Sequence, residues 1–240
     1  MAQVSVEQPD MSDNLPFGVK SNPQARHMRI VMPSYTGIPS DACSELLMAL
    51  QSQGYPLTKI SHCSNVEHAR TKALAHAMQD AKASEFLLLD DDVYVYPETI
   101  ERMRNCHCPF VAVVGATKQM PYQITLKQTG HEIVDGLLEV AGAPLHCALI
   151  RRQCIEDAWK EFPDRRCRIA GLSVLAIFDS GIYNGELYSE DLWFCMRMMN
   201  IGYPLHIMVN ADVQHGNMIA NIAKNTIYKD ILGNTCKGTM

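Results

Sequence analysis

The chain has 240 residues, of which 47% are hydrophobic and 20% charged, and this composition is that of a globular protein with a substantial core. Its formal net charge of −5 provides no strong basic field for non-specific binding to nucleic acid, although it permits a local basic patch. No apolar run reaches the roughly 18 residues that a transmembrane helix requires.

The cysteines indicate a reducing environment. There are nine of them at scattered positions, an odd number that does not suggest a disulfide framework. Cys106, His107 and Cys108 form the one close group, and it lacks the second pair of ligands that a structural zinc motif supplies. We therefore expect reduced thiols and a cytoplasmic protein.

The two ends of the chain differ in character from its middle. Residues 1–26 contain three prolines and no apolar segment of the kind found in a signal peptide, so they are predicted to form a flexible leader. Residues 27–217 are predicted to form one compact domain. Residues 218–240 are predicted to form a C-terminal tail with a weakly amphipathic pattern that could be helical.

After the leader, short apolar runs alternate with segments of helical periodicity. Ser40 is placed to cap a helix that Gly54 would end, Ser64 and Glu67 have the spacing of a capping box, and Pro97 suits the first position of a helix. The alternation predicts an α/β domain with a parallel sheet. In chain order the predicted elements are a strand at 28–33, a helix at 41–53, a strand at 56–61, a helix at 66–80, a strand at 85–90, a helix at 97–105 and a strand at 110–117.

The second half of the chain is less regular. Residues 133–142 are predicted to form a hairpin or two short strands, and 146–162 a strand that leads into a helix. Residues 163–188 are predicted to be mostly loop. Ser189 is placed to cap a helix over 190–200, and 204–217 are predicted to contain a last strand and a loop.

The segment FLLLDDDVYVYPE, residues 86–98, runs from four apolar residues into three carboxylates. The apolar run predicts a central strand, and strand geometry would place Asp90 and Asp92 on one face and Asp91 on the other. Ligands bind beyond the carboxyl ends of such strands, and a hard divalent cation would offset the repulsion between the carboxylates. These residues therefore predict a metal–diphosphate site, the alternative being a solvated acidic turn.

Two later segments contain candidate residues for proton transfer and metal binding. Glu190 and Asp191 lie in the first turn of a predicted helix, where the helix dipole stabilises a carboxylate. They serve either as helix caps or as a general base for a hydroxyl. His215 lies in a polar loop after a strand, where it is either without a role or a further metal ligand.

Four segments, taken together and in this order, resemble the GT-A fold glycosyltransferases, specifically the family-2-like group found widely in bacteria and phages. The similarity covers residues 28–217, with Thr71 where the family's second motif has Asn. The last segment is the most specific of the four. The segments are MRIVMPSYTG, EHARTKALAHAM, FLLLDDDVYVYPE and LYSEDLWFCMRMMNIGYPLHIMVNADVQHGN.

The resemblance implies a single GT-A (Rossmann-like) domain with a mostly parallel central sheet flanked by helices. It implies a nucleotide-diphosphate sugar as donor and Mn²⁺ or Mg²⁺ as cofactor. Asp191 would be the general base, with Glu190 as the second choice. The implied metal ligands are Asp90, Asp92 and His215. The implied donor-binding residues are Pro33, Ser34, Tyr35, Arg70, Asp90, Asp91 and Lys118.

The region that usually meets the acceptor departs from the family pattern. Pro144, His146 and Cys147 stand where the family often has a Gly-rich turn, and His146 could contact substrate or be structural. Asp179 and Tyr183, in the predicted loop, are candidates for acceptor contacts. The acceptor therefore stays open among a glycan, a lipid-linked compound, a protein and a small molecule. The acidic composition disfavours modified DNA.

The sequence thus predicts a metal-dependent inverting glycosyltransferase. Inversion is implied because the base would remove the acceptor proton while the acceptor attacks from the face opposite the leaving group. The alternative is a GT-A-like module that binds a nucleotide sugar or glycan without turnover. A nucleotidyltransferase is a third possibility, but PSYTGIPS has one glycine where such an enzyme would carry a Gly-rich phosphate loop.

Overall fold

The computed structural model of the protein describes residues 27–118, 124, 126–224 and 226–229. The predicted leader lies outside these residues, and the predicted tail lies partly outside them. Within the described part of the chain, no helix is both long enough and apolar enough to cross a bilayer.

The element order follows the predicted alternation in the first half of the chain. The helices are α1 (Asp41–Ser52), α2 (Val66–Met78), α3 (Pro97–Asn105), α4 (Arg152–Glu161) and α5 (Glu190–Asn200), with a 3₁₀ turn at Pro163–Arg165. The strands are β1 (His27–Ser34), β2 (Leu57–Ser61), β3 (Ala83–Leu89), β4 (Val93–Val95), β5 (Phe110–Val113), β6 (Lys127–Val134), β7 (Leu137–Gly142), β8 (Cys147–Arg151), β9 (Arg166–Ile169), β10 (Leu172–Leu175), β11 (Gly181–Tyr183), β12 (Glu186–Tyr188), β13 (Leu205–Met208), β14 (Val213–His215), β15 (Met218–Asn221) and β16 (Thr226–Lys229).

A central sheet of eight strands has the order β2-β1-β3-β8-β5-β13-β7-β6. β8 and β7 run antiparallel to their neighbours, and the other six strands share one direction, so the sheet is mixed. The predicted α/β class, with a central sheet flanked by helices, is confirmed. Because β1, β3 and β5 point the same way, their carboxyl ends meet at one edge of the sheet.

Each face of the sheet carries its own hydrophobic core. Successive side chains of β3 alternate between them: Phe86 and Leu88 belong to the core under α2, α4 and α5, and Leu87 and Leu89 to the core under α1 and α3. All four are 1% exposed or less. The unbroken apolar run of the sequence is therefore explained by helices that cover both faces of this strand.

Most of the predicted helix starts are confirmed. The Ser40 hydroxyl accepts a hydrogen bond from the backbone N–H of Cys43 at 3.2 Å, and Pro97 is the first residue of α3. The predicted capping box at Ser64 is wrong, because α2 begins one residue later than that motif requires. Asn65 caps this helix instead, and its side chain accepts from the backbone N–H of His68 at 2.7 Å.

The segment 163–188, predicted to be mostly loop, instead contains two hairpins, β9–β10 and β11–β12. Each turns at a pair of residues with positive φ, Ala170-Gly171 and Asn184-Gly185. The predicted hairpin at 133–142 is confirmed and turns in the same way at Asp135-Gly136. Two-residue turns of this kind match the twist of the strands they join.

The prediction of a helix for the tail is wrong for its described residues. β15 and β16 join β14 and β4 in a four-stranded antiparallel sheet. Met218 and Ala220 of β15 are 3% and 0% exposed and pack against Ala116. This part of the chain therefore belongs to the folded domain, and the boundary predicted at residue 217 is also wrong.

Candidate active site

The three adjacent aspartates lie at the carboxyl end of β3, beside the end of β1 at Ser34. The backbone N–H of Val93 closes the turn after β3 by donating to the carbonyl of Asp90 at 3.4 Å. A cavity of about 270 Å³ opens at this edge of the sheet. The predicted site residues that line it are Pro33, Ser34, Tyr35, Asp90, Asp91, Asp92 and Lys118.

The prediction that Asp91 faces away from Asp90 and Asp92 is wrong. The two-residue alternation of a strand ends with β3 at Leu89, and Asp91 and Asp92 lie in the following turn. All three carboxylates line the same cavity. Their mutual repulsion must therefore be offset by the groups around them.

Asp91 holds the loop between β1 and α1. Its Oδ2 atom accepts a hydrogen bond from the Ser34 hydroxyl at 2.6 Å, and its backbone carbonyl accepts from the N–H of Ser40 at 2.8 Å. The Ser34 hydroxyl in turn accepts from the N–H of Gly37 at 3.0 Å. These bonds fix the loop that carries Tyr35, whose side chain is exposed at the rim of the cavity.

Arg70, on α2, joins carboxylates from two other parts of the chain. Its Nη2 atom lies 3.0 Å from Asp90 Oδ1, and its Nη1 atom lies 3.2 Å from Glu190 Oε1 and also contacts Asp191 Oδ1. The Arg70 side chain is 3% exposed, so it lies beneath the carboxylates rather than at the cavity surface. Arg70 thereby fixes the start of α5 against the end of β3.

The titration of this cluster follows from these contacts. Burial would raise the pKa of Asp90, but the Arg70 guanidinium and His146 lower this pKa by more, so that Asp90 is ionised. Burial and the nearby charge of Asp191 raise the pKa of Glu190. Burial would lower the pKa of Arg70, but Asp90 and Asp191 raise it, so Arg70 stays charged.

His215 is oriented by a main-chain hydrogen bond. Its Nδ1 atom lies 2.9 Å from the carbonyl oxygen of Ala116, and because a carbonyl only accepts, Nδ1 carries the proton. The Nε2 lone pair is thus left available, and Nε2 lies 3.6 Å from Asp92 Oδ1. Burial and the proximity of His146 lower the pKa of His215 to about 4, so the ring is neutral at pH 7. An imidazole held in this way is in the form that binds metal ions.

His146 is the residue of this site whose place could not be assigned from the sequence. The antiparallel pairing of β8 with β3 sets it beside Asp90, whose backbone N–H donates to the His146 carbonyl at 2.9 Å. The His146 Nδ1 atom lies 3.2 Å from Asp90 Oδ2, and its ring centroid is 4.0 Å from that of His215. His146 therefore links the first and the last of the predicted metal ligands.

The residues of the site fit a divalent cation held by few protein ligands. Asp92 and His215 present an oxygen and a nitrogen toward each other, while Lys118 contacts the other oxygen of Asp92. Among the described residues, no group of three or more His, Cys, Asp or Glu side chains is arranged to hold a metal. Mg²⁺ typically takes one or two carboxylates and completes its shell with water and substrate phosphates.

The balance of charge also favours a cation. The five carboxylates of the site, at residues 90–92 and 190–191, face two permanent cations, Arg70 and Lys118. His215 is neutral at pH 7, which leaves a formal excess of three negative charges. A bound divalent cation would offset most of that excess.

The two candidates for acceptor contacts lie in different surroundings. Asp179 is paired with two arginines: its Oδ2 atom lies 2.6 Å from Arg165 Nη1, and its Oδ1 atom contacts Arg197. These contacts give it a structural role between the β10–β11 connection and α5. Tyr183 is half exposed on β11, with its ring centroid 6.3 Å from that of Trp193.

A larger depression, of about 870 Å³, lies elsewhere, next to the end of α3 and the β6–β7 hairpin. Its lining includes Cys106, His107, Cys108 and His206, and it contains none of the predicted site residues. The larger depression is therefore not the candidate active site. The smaller cavity at the strand ends holds the carboxylates and cations.

The fold and the site together define an α/β protein with a mixed eight-stranded sheet and an acidic cavity at the carboxyl edge of its strands. No family model matches the chain, and no curated protein matches its sequence. Among solved structures, it is similar to A197 from STIV, with a TM-score of 0.51 and 16% identity over 90% of this chain and 97% of that one. At this identity the similarity shows a shared fold alone.

More distant similarity is found to two further structures. One is a glycosyltransferase involved in the glycosylation of the major capsid of PBCV-1, with a TM-score of 0.35 and 13% identity over 57% of this chain and 66% of that one. The other is 4-diphosphocytidyl-2C-methyl-D-erythritol synthase from Anaerococcus prevotii, with a TM-score of 0.32 and 11% identity over 61% and 80%. At such scores neither similarity carries an argument about function.

Proposed function

We propose that the protein is a metal-dependent, inverting glycosyltransferase of the GT-A type, which transfers a sugar from a nucleotide-diphosphate sugar to an acceptor hydroxyl. One observation carries the proposal. A neutral, tautomer-fixed His215 faces Asp92 in a cavity that also holds Asp90, Asp91 and Lys118 at the carboxyl edge of the sheet. The segments of the sequence that resemble the family supply all of these residues except Lys118.

Asp92 and His215 are the residues that would hold Mn²⁺ or Mg²⁺. The bound ion would stabilise the negative charge that develops on the departing nucleoside diphosphate. Asp90 is a weaker candidate as a ligand, because Arg70 and His146 already occupy its oxygens at 3.0 and 3.2 Å.

Lys118 and Tyr35 are placed to bind the rest of the donor. The Lys118 side chain is 52% exposed and carries a flexible ammonium group, which suits a diphosphate oxygen. Tyr35 is 70% exposed at the rim, next to Pro33, and offers an aromatic face to a nucleobase or ribose. Ser34 and Asp91 hold the loop in place and support this binding surface.

The carboxylates at the start of α5 would receive the acceptor proton. Glu190 and Asp191 contact the same guanidinium as Asp90. They therefore lie close to Asp90, which lines the cavity. General-base catalysis of this kind contributes roughly 10²- to 10⁴-fold in rate. The acceptor is a hydroxyl compound, among which a glycan, a lipid-linked compound, a protein and a small molecule are open.

The proposal is tested by thermal unfolding with UDP-glucose, GDP-mannose, CDP-glucose and dTDP-glucose, each with Mn²⁺ and with EDTA. A ligand at 100 times its Kd stabilises the folded state by about 2.7 kcal/mol. A Mn²⁺-dependent stabilisation by one donor class, together with release of the nucleoside diphosphate, would support the transferase.

Three other outcomes would contradict the proposal. Binding of a nucleotide sugar without any release of nucleoside diphosphate would favour a non-catalytic module. Stabilisation by a nucleoside triphosphate, measured in the same way, but by none of the nucleotide sugars would favour a nucleotidyltransferase. If no donor stabilises the folded protein, the cavity is not a donor site.

A further inference from the structure

We propose that Glu190 is the catalytic base of the transfer and that Asp191, its neighbour, is a positioning residue. The inference rests on the proposed glycosyltransferase activity and assigns roles that the sequence leaves in the opposite order. Both residues lie in the first turn of α5 and both contact Arg70. What separates them is how firmly each carboxylate is tied to other parts of the fold and how exposed it is.

Asp191 has both of its carboxylate oxygens engaged. Oδ1 contacts the Arg70 guanidinium, and Oδ2 accepts a hydrogen bond from the backbone N–H of Leu145 at 3.1 Å. The residue is 8% exposed. A proton on either oxygen would take one of its acceptor sites and weaken the bond that this oxygen already accepts from a buried donor. Asp191 is therefore suited to hold Arg70 and the turn before β8 in place.

Glu190 is held more loosely. Among the described residues, its one ion pair is the 3.2 Å contact from Oε1 to Arg70 Nη1. Its side chain is 19% exposed, against 12% for that of Asp191. A hydroxyl that approaches Glu190 therefore does not compete with a bond like the one from Leu145 to Asp191.

The charges around Glu190 favour uptake of a proton. Arg70 faces it from α2, Asp191 from its own helix turn and Glu67 from the start of α2, while Asp90 shares the same guanidinium. Asp90, Asp191 and Glu190 itself thus share one cation, with the Glu67 carboxylate nearby, and a proton on Glu190 reduces this excess of negative charge. After protonation, Arg70 keeps its contacts with Asp90 and Asp191, so the cluster stays paired.

In the step itself, the O–H bond of the acceptor breaks and its proton passes to the Glu190 carboxylate. The freed electron pair forms the new bond from the acceptor oxygen to the anomeric carbon. The bond between that carbon and the diphosphate oxygen breaks, and its electron pair leaves with the nucleoside diphosphate. No oxidant or reductant is needed, and the charge lost by Glu190 appears on the leaving group.

The test uses the whole chain and water as acceptor. The rate of nucleoside diphosphate release from the four donors named above is measured against pH for the wild type, Glu190→Gln, Glu190→Asp and Asp191→Asn. Glu161→Gln, an exposed carboxylate at the end of α4, is the matched control. Donor binding with Mn²⁺ and the midpoint of urea unfolding are measured for each protein.

We expect the wild-type rate to fall as pH is lowered, because the base must be ionised. Glu190→Gln should lower the rate by roughly 10²- to 10⁴-fold and remove this acid limb, with donor binding and the urea midpoint unchanged. Glu190→Asp should keep the acid limb at a reduced rate. Asp191→Asn should lower the urea midpoint and still show the acid limb.

A Glu190→Gln protein that keeps both its rate and its acid limb would overturn the assignment while leaving the transferase intact. Should Asp191→Asn fail to fold, the Glu190 variants alone still decide the matter. A wild-type protein that neither binds nor hydrolyses any of the four donors overturns the proposed function, and the assignment of Glu190 with it.

Discussion

The Nε2 atom of His215 faces the Oδ1 atom of Asp92 at 3.6 Å, although the two residues are far apart in the chain. Main-chain pairing brings them together: His215 lies opposite Val93 in the β4–β14 ladder, and the N–H of Gly216 donates to the Asp92 carbonyl at 2.9 Å. The main-chain positions of the two candidate ligands are therefore set by backbone hydrogen bonds.

Removal of either ligand should abolish the contribution of the metal to donor binding. We expect Asp92→Asn and His215→Gln each to weaken Mn²⁺-dependent nucleotide binding by at least roughly tenfold, since even outer-shell changes have effects of that size. Calorimetric titration with Mn²⁺ and the best donor measures this. His76→Gln, an exposed histidine of α2, should bind as the wild type does. Unchanged Mn²⁺ dependence in both ligand variants would move the metal site elsewhere.

Gly115→Ala should disturb the same site without removing a ligand. A Cβ atom at this position would lie 2.7 Å from the Cβ of His215, closer than packed side chains allow, so the histidine must shift. We expect weaker Mn²⁺-dependent binding and a lower melting temperature, with the protein still folded. Full Mn²⁺ affinity in this variant would show that the position of His215 is not limiting.

Arg70→Met should destabilise the fold strongly. It would leave Asp90, Glu190 and Asp191 together without their shared cation, and unpaired buried charges of this kind cost about 3–5 kcal/mol. Urea unfolding at pH 7 measures the loss, which should shrink in acid as these carboxylates become protonated. Lys72→Met, which removes a cation from the same helix outside the cluster, should cost less than about 1 kcal/mol. Equal losses for the two variants would argue against the cluster.

Asp179→Asn should lower stability in a pH-dependent way. Burial would raise the pKa of Asp179, but Arg197 and Arg165 lower it by more, so its stabilising effect is present at neutral pH and is lost as pH falls through the lowered pKa. Since the side chain is 33% exposed, we expect a loss of about 1–2 kcal/mol at pH 7. The urea midpoints of the two proteins should converge only at pH values below the ordinary aspartate pKa of about 3.9. A constant difference at all pH values would contradict the ion-pair explanation.

The first half of the fold could be predicted because its signals are local. The apolar run of β3, the cap at Ser40 and Pro97 at the start of α3 each act over a few residues. The hairpins within 163–188 were missed because strands of three or four residues have too little periodicity to be recognised. Asn184-Gly185 was a usable signal for one of them.

The residues of the candidate site were proposed from the sequence, whereas most of their arrangement was not. Asp92 and His215 were singled out by residue type, and the structure brings them together. The burial of Arg70 among three carboxylates depends on contacts between residues that are 120 positions apart. Local sequence patterns do not indicate such contacts. The place of His146 depends on which strand pairs with β3, which spacing along the chain does not reveal.

The packing of β15 has a consequence for how the chain can be shortened. Met218 and Ala220 support Ala116, whose carbonyl selects the tautomer of His215. A fragment that stops at residue 217 would keep every candidate ligand and donor-binding residue, yet it would lose the strand behind that carbonyl. Such a fragment should hold its imidazole in a mixture of tautomers, although it keeps the sequence of both candidate ligands.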